Sequence, residues 1–312
     1  MIKIINGFGR IGRIALRIAE ERSDLEVVAI NSRNAESHAH LLKYDSTYVL
    51  DKEVFEADGI LVDGRKIAVL QNSEPKDIQW GKYEVDVVLD CVHFRDKKTL
   101  QHLDNAKKVI LAAPKLDATL VMGVNEKDYN SNIHHIISNA SCTTNCLAPI
   151  VKILEENFGI ISGIMTTVHA FTNDQNLLDN RHEKDFRRAR SAYCSIIPTS
   201  TGAAEAVDVL PSVKGKFTGI ALRVPTETVS MVDLTVILAK NTSVEVVNSI
   251  FEKNKSVFCD ITSKELVSID YKMKQSMIDS KLTQVVNLLK IYSWYDNEWY
   301  TERLVDMASY VL

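Results

Sequence analysis

The chain has 312 residues, 46% of them hydrophobic, which suffices for about two domains with sizeable cores. Thirty-seven basic residues stand against 41 acidic ones, and a net charge of −4 gives no reason to expect nucleic acid or an anionic membrane as a partner. The five cysteines (Cys91, Cys142, Cys146, Cys194, Cys259) are odd in number and too sparse for a disulfide framework, which points to a reducing compartment and a cytoplasmic location.

The chain enters a strand at once, without a charged leader or a long apolar run, so neither a targeting segment nor a membrane span is expected. Met1 to Asn6 is a short apolar run that leads into Gly7-Phe8-Gly9-Arg10-Ile11-Gly12 and then into a helical pattern through Ile14, Leu16 and Ile18. A glycine turn between a strand and a helix lets backbone amides approach a pyrophosphate, so this unit is read as a dinucleotide site. A second strand, Leu25 to Asn31, ends without the acidic residue that would bind a ribose 2′-hydroxyl; Ser32-Arg33 stands there instead. Serine and arginine remove a repulsive carboxylate and add a cation, an arrangement that accommodates the 2′-phosphate of NADP, although Arg33 also reads as an ordinary solvated side chain.

Strands at Val85 to Asp90 and Lys108 to Ala113 continue the alternation, and with the apolar run Ile133 to Ile137 they predict a mostly parallel sheet in the first 140 residues. That last run opens into Ser138-Asn139-Ala140-Ser141-Cys142-Thr143-Thr144-Asn145-Cys146, which places Cys142 at a helix N-terminus. There the helix dipole and free amides favour a thiolate, an enzyme signal. Cys146 lies on the same helical face and reads as a small packed hydrophobe. After a helix to about Asn157 the runs Ile164 to Ala170, Thr218 to Val224 and Ser230 to Lys240 alternate as in an antiparallel sheet with one covered face. Between them the polar, basic loop from Thr172 to Arg190 is longer than most connections and is read as functional; Asn297 to Leu312 reads as a closing helix. No Cys or His pair has ligand spacing, so no metal is expected.

Together, Ile5-Asn6-Gly7-Phe8-Gly9-Arg10-Ile11-Gly12-Arg13, Leu42-Lys43-Tyr44-Asp45-Ser46, the Cys142 motif, His169-Ala170-Phe171-Thr172-Asn173-Asp174-Gln175, Arg187-Arg188-Ala189-Arg190, Thr199-Ser200-Thr201-Gly202-Ala203-Ala204 and Trp294-Tyr295-Asp296-Asn297-Glu298 closely resemble phosphorylating glyceraldehyde-3-phosphate dehydrogenase. The resemblance runs from end to end. It implies an α/β Rossmann dinucleotide-binding domain, residues 1–141 completed by the helix 297–312, and an α+β catalytic domain, residues 142–296, built on a mostly antiparallel sheet. It also implies a homotetramer that uses NADP or NAD, a small phosphorylated aldehyde and inorganic phosphate.

Residue by residue, the resemblance makes Cys142 the nucleophile and His169 the base that stabilises the thiolate and takes the hydroxyl proton as hydride leaves. It assigns the attacking phosphate to Ser141, Thr143, Thr201 and Gly202, and phosphate groups to Thr172, Arg188 and Arg223, with Asp174 nearby. A structural ion pair is the competing reading of Arg223, and a solvated basic face that of Arg187 and Arg190. Gly7, Gly9, Arg10, Ile11, Gly12, Ser32 and Arg33 fall on the dinucleotide side. Asn297 resembles the residue that fixes the nicotinamide carboxamide, the alternative being a helix cap.

Departures from the family gather on the cofactor side: Ser73 replaces an arginine, Asp90-Cys91-Val92-His93 replaces a glutamate-serine-threonine-glycine turn, and Ala112-Ala113-Pro114 replaces serine-alanine-proline. Asn180-Arg181 stands for a small or apolar pair, so Arg181 joins the residues that favour an added phosphate, and a glycine usual near Trp299-Tyr300 is absent. Two other readings stand beside the leading one: a paralogue that oxidises another phosphorylated aldehyde such as erythrose 4-phosphate, and a catalytically lapsed binding protein.

Overall fold

Central strands of a parallel sheet are covered on both faces and so read as unbroken apolar runs, and Val87 to Leu89 and Val109 to Leu111 are buried at every position. The computed structural model describes residues 2–32, 37–48, 50–57, 59–92, 97–113, 118–183, 185–271 and 275–312. It divides into two units, one of residues 1–120, 126–140 and 301–312 and the other of residues 121–125 and 141–300.

The first unit holds strands β1 (Ile2–Asn6), β2 (Glu26–Asn31), β3 (Val54–Ala57), β4 (Gly59–Val62), β5 (Arg65–Leu70), β6 (Val87–Asp90), β7 (Lys108–Leu111), β8 (Ala118–Thr119) and β9 (Ile136–Ser138), with helices α1 (Arg10–Glu20) and α2 (His38–Lys43). The sheet runs β3-β4-β5-β2-β1-β6-β7-β9-β8, and only the β3–β4 and β4–β5 pairs are antiparallel. Because β1 lies between β2 and β6, Asn6, Asn31 and Asp90 stand in register at its carboxyl edge, where open α/β sheets hold their ligands. The mostly parallel sheet is as expected. The last strand, however, starts at Ile136 rather than Ile133: the amides of Ile133 and His134 bond the Asn130 carbonyl in a turn, and Ile133 is exposed.

The second unit holds α3 (Cys142–Phe158), β10 (Ile160–Ala170), β11 (Ile197–Ser200), β12 (Phe217–Val224), β13 (Ser230–Leu238), α4 (Val244–Lys253), β14 (Asp260–Thr262), β15 (Met277–Asp279), β16 (Gln284–Val285), β17 (Leu289–Tyr295) and the start of α5 (Asn297–Tyr310). Its sheet runs β11-β12-β10-β13-β17-β15-β14 with β16 on β17, and is antiparallel except at β10–β12 and β14–β15. Leu147, Ile150, Val151 and Leu154 of α3 share one core cluster with Met165, Val232, Leu234, Ile291 and Tyr295 of the sheet. On the opposite sheet face Ile164, Ile220 and Ile237 are exposed. No helix among the described residues is long and apolar enough to cross a membrane.

Candidate active site

In the first unit the glycine turn has room where a ligand would need it. Gly7 sits at φ +88, and its amide donates to the Asn31 carbonyl at 2.8 Å, which pins the turn to β2. A Cβ on Gly12 would collide with the Gly7 carbonyl oxygen, so α1 packs against the turn only through glycine. At Gly9 a methyl group would meet nothing within 4 Å, and Gly9 caps α1 without a side-chain hydrogen bond. Gly9 therefore puts no side chain over the N-terminus of α1, as a cradle of backbone amides for a pyrophosphate requires. Ser32 follows β2, its amide bonded to the Leu70 carbonyl. Arg33, His93 and Pro114 lie outside the described residues.

Beneath this turn is a polar cluster that the sequence did not single out as a unit. The Asn31 side-chain amide donates to the Asn6 side-chain oxygen at 2.8 Å, and Asn6 in turn donates to Asp90 at 3.1 Å. Asp90 also accepts from the Val92 amide at 3.0 Å, which fixes the loop after β6. The Trp80 indole donates to His102 Nδ1 at 2.9 Å, leaving Nε2 of the neutral ring to carry the hydrogen, 3.9 Å from Asp90. Burial pushes the Asp90 carboxyl up to about 6 and the His102 ring down to about 4.

In the second unit Cys142 is the first residue of α3. The hydroxyl of Ser141, the N-cap, accepts from the Thr144 amide at 3.1 Å and lies 2.8 Å from the Thr144 hydroxyl, so Ser141 serves the helix cap first. The preceding Ala140 takes φ +54, a left-handed conformation costly for a residue with a Cβ and of the kind found where a reactive side chain is held at a sharp turn. Burial pushes the Cys142 thiol up from its ordinary value, opposed by the Arg223 charge and by hydrogen bonds from Thr143. The helix terminus alone thus does not deliver the lowered thiol that the sequence led us to expect; a proton acceptor beside the sulfur is required.

That acceptor is in place. His169 Nε2 lies 3.5 Å from Cys142 Sγ. The parallel pairing of β10 with β12 sets His169 directly beside Arg223, whose Nη1 is 2.7 Å from His169 Nδ1 and donates to the Ala170 carbonyl at 3.1 Å. The Ala170 carbonyl is also 2.7 Å from Nδ1. The Ala170 carbonyl lets the neutral ring carry its proton at Nδ1, which leaves the Nε2 lone pair toward the sulfur to accept a proton and form imidazolium.

Further out, Arg188 pairs with Asp174, and its Nε is 3.8 Å from Asp185. Gln175 donates to Asp174 at 2.9 Å and accepts from the Thr172 amide at 3.0 Å. The charges of Asp174 and Arg188 both reach Arg223, so these residues and the thiol share one electrostatic environment. Thr201 and Gly202 stand on the turn after β11, where the Thr201 hydroxyl accepts from the Ala203 amide at 3.2 Å. The long loop folds on itself through Asn180 to Ala189 and Ala192 to Asn176 backbone bonds; Arg181 on it is exposed, and Arg190 pairs with Asp179. At α5 the helix cap is Asp296, which accepts from the Trp299 amide at 2.8 Å, rather than Asn297. Among the described residues no group of three or more His, Cys, Asp or Glu is placed to hold a metal ion.

Residues 2–97 match the family described as glyceraldehyde 3-phosphate dehydrogenase, NAD binding domain, and residues 141–297 match glyceraldehyde 3-phosphate dehydrogenase, C-terminal domain. Among curated proteins, glyceraldehyde-3-phosphate dehydrogenase 2 of Bacillus subtilis is 49% identical over 98% of this chain and 95% of its own length. Glyceraldehyde-3-phosphate dehydrogenase of Geobacillus stearothermophilus is 48% identical over 98% and 97%. Glyceraldehyde-3-phosphate dehydrogenase 2 of Trichormus variabilis is 46% identical over 100% and 98%.

Proposed function

The chain belongs to the glyceraldehyde-3-phosphate dehydrogenase family, and from that premise we propose that it oxidises glyceraldehyde 3-phosphate to 1,3-bisphosphoglycerate, with residues 1–141 and 297–312 holding the dinucleotide and residues 142–296 the chemistry. The observation that carries this reading is the 3.5 Å contact of Cys142 Sγ with His169 Nε2 at the head of a buried helix, with Arg223 behind the ring. Proton transfer from sulfur to Nε2 creates a thiolate beside an imidazolium, which offsets the burial of the charge. The thiolate adds to the aldehyde carbon, and the imidazolium gives its proton to the former carbonyl oxygen, leaving a thiohemiacetal on Cys142. His169 then takes the hydroxyl proton back as the substrate C–H bond breaks, and the carbon becomes a thioester. The nicotinamide cofactor, when bound, supplies the hydride acceptor for that oxidation. An oxygen of inorganic phosphate attacks the thioester, the C–S bond breaks, and the thiolate of Cys142 leaves. Thr143, Thr201 and Gly202 are proposed to hold the attacking phosphate, with Ser141 contributing through its helix cap, and Thr172, Arg188 and Arg223 the phosphate groups, with Asp174 setting the pose of Arg188. Asn297, relieved of capping by Asp296, is proposed to hold the nicotinamide carboxamide.

The cofactor is a nicotinamide dinucleotide. The finer proposal is a preference for NADP, supported by the absence of a carboxylate at Ser32 and by the exposed Arg181. A Ser32→Asp variant is expected to lower the ratio of kcat/KM with NADP to kcat/KM with NAD by about tenfold or more, the scale of one introduced charge repulsion; an unmoved ratio would remove the 2′-phosphate argument. A homotetramer is proposed on the exposed apolar sheet face at Ile164, Ile220 and Ile237, and on Phe186 of the long loop, which is 90% exposed. Five free cysteines accord with a cytoplasmic location.

The covalent path is tested by mixing enzyme, cofactor and aldehyde without phosphate. One equivalent of reduced nicotinamide per Cys142 and a mass increase on the peptide that carries it are expected. Continuous turnover without phosphate, or a burst with no adduct on Cys142, would contradict the path.

A further inference from the structure

At the end of β10 a side chain takes over from the backbone. The antiparallel register of β10 with β13 ends at Val168 opposite Met231, and two residues further it would set Val229 opposite Ala170. Val229 instead takes φ +62. For a buried, β-branched residue that left-handed conformation is strained, so its surroundings impose it. The Ala170 amide, lacking a partner in the ladder, donates to the Ser230 hydroxyl at 3.1 Å. The next amide, that of Phe171, donates to the Thr226 carbonyl at 3.2 Å. Both peptide planes that flank Ala170 are therefore held by residues at the turn from β12 into β13.

We propose that Ser230, set in place beside the strained Val229, is a positioning residue that fixes the Ala170 backbone and with it the tautomer of His169. The Ala170 carbonyl lies 2.7 Å from His169 Nδ1, and Arg223 Nη1 reaches the same nitrogen at 2.7 Å. The two neighbours ask opposite things of the ring. The carbonyl can only accept, so it keeps the hydrogen on Nδ1 and leaves Nε2 open to the thiol 3.5 Å away. The guanidinium can only donate, so wherever the carbonyl turns aside it draws on the Nδ1 lone pair and sends the hydrogen to Nε2. The thiol then faces an N–H instead of an acceptor. Removing the Ser230 hydroxyl leaves a buried amide unsatisfied, and the chain regains an acceptor only by turning the Ala170 backbone. The Thr226 bond joins backbone to backbone, so Ser230 is the part of this clamp that a side-chain substitution removes.

This inference rests on the roles proposed for Cys142 and His169, and its test separates the two. The readout is the pH dependence of alkylation by iodoacetamide, a neutral probe, followed by mass on the peptide that carries Cys142. The titratable or charged groups that face the ring and the sulfur are Arg223 from β12, Tyr295 from β17 and Cys146 from α3, with Asp174 and Arg188 of the long loop acting on Arg223. All of them stay unchanged in every variant. Ser230→Ala is expected to raise the alkylation midpoint by about half to one pH unit, the reach of one lost hydrogen bond. Ser230→Thr, which keeps the hydroxyl, is expected to match the parent. In a His169→Asn background Ser230→Ala is expected to move nothing, because its effect passes through the ring. If Ser230→Ala does not fold, Ser230→Cys decides alone: its thiol is a weak acceptor of similar shape, and a smaller rise is expected. A folded variant of either kind with the parent midpoint, or a shift that persists without the imidazole, would overturn the proposal. A parent enzyme that turns over no aldehyde would overturn the functional assignment, whatever the midpoints.

Discussion

At Gly12 a methyl group has nowhere to go, because its carbon would land on the Gly7 carbonyl oxygen, whereas at Gly9 nothing lies within 4 Å. The two glycines therefore separate packing from ligand approach. Gly12→Ala is expected to destabilise the first unit by about 1–3 kcal/mol, the usual cost of overpacking, read as a lower melting temperature. Gly9→Ala is expected to melt as the parent does while binding dinucleotide more weakly by fluorescence titration; the opposite pattern would contradict the cradle. His102 and Asp90 give the same unit two opposing pH responses. The His102 ring falls from 6.5 to about 4 on folding, so its contribution to stability is complete above pH 6.5 and is lost as pH drops toward 4. Asp90 rises from 3.8 to about 6, so its contribution is complete below pH 3.8 and is lost as pH climbs through 6. Because the windows overlap, variants separate them: His102→Gln is expected to reduce the loss of melting temperature between pH 6.5 and 4, and an unchanged loss would count against a buried neutral ring. Sequence reading reached Cys142 and His169 because each stood in a motif, and Arg223 through the resemblance, as an arginine inside a strand. It assigned Ser230 no role, because its contact with the Ala170 amide exists only where β10 meets β13. It also left open whether Asn297 caps its helix, a matter that the Asp296 contact with Trp299 decides.

Among the elements, α3 carries the largest structural load for the site, since its first residue is Cys142 and its apolar face joins the core under β10, β13 and β17. Leu154, fully buried in that cluster, is a test far from the chemistry: Leu154→Ala is expected to cost about 2–5 kcal/mol in denaturant unfolding, while the active-site thiol keeps its alkylation midpoint. A loss below about 1 kcal/mol would contradict the packing described. The central parallel strands were legible as continuous apolar runs, and the catalytic strands as alternating ones. The β3–β4–β5 meander was not foreseen, since Val54 to Leu70 is broken by charged residues that interrupt short strands. Nor could alternation show that β10 and β12 pair in parallel within a mainly antiparallel sheet. That pairing sets His169 opposite Arg223, so strand direction, which leaves no mark on a period of two, decides the electrostatics of the base.

Over the whole molecule, the long loop after β10 lacks strand or helix among its described residues, yet it is tied to itself by backbone bonds and keeps large apolar side chains exposed. Such a surface accords with the tetramer proposed above, and its length was the one sign of importance that the sequence carried. The proposed cofactor preference rests on residues of the dinucleotide side and the long loop, whereas the thiol, the imidazole and the guanidinium stand together in the second unit. The central claim is therefore that Cys142 carries an acyl group to inorganic phosphate. The measurement that tests it most directly is reduced-nicotinamide formation from glyceraldehyde 3-phosphate, with and without phosphate, in the parent and in Cys142→Ser, each assayed with NAD and with NADP. The account expects turnover in the parent only when phosphate is present, and none in Cys142→Ser with either cofactor. Turnover that ignores phosphate, or that survives the loss of the thiol, would contradict it.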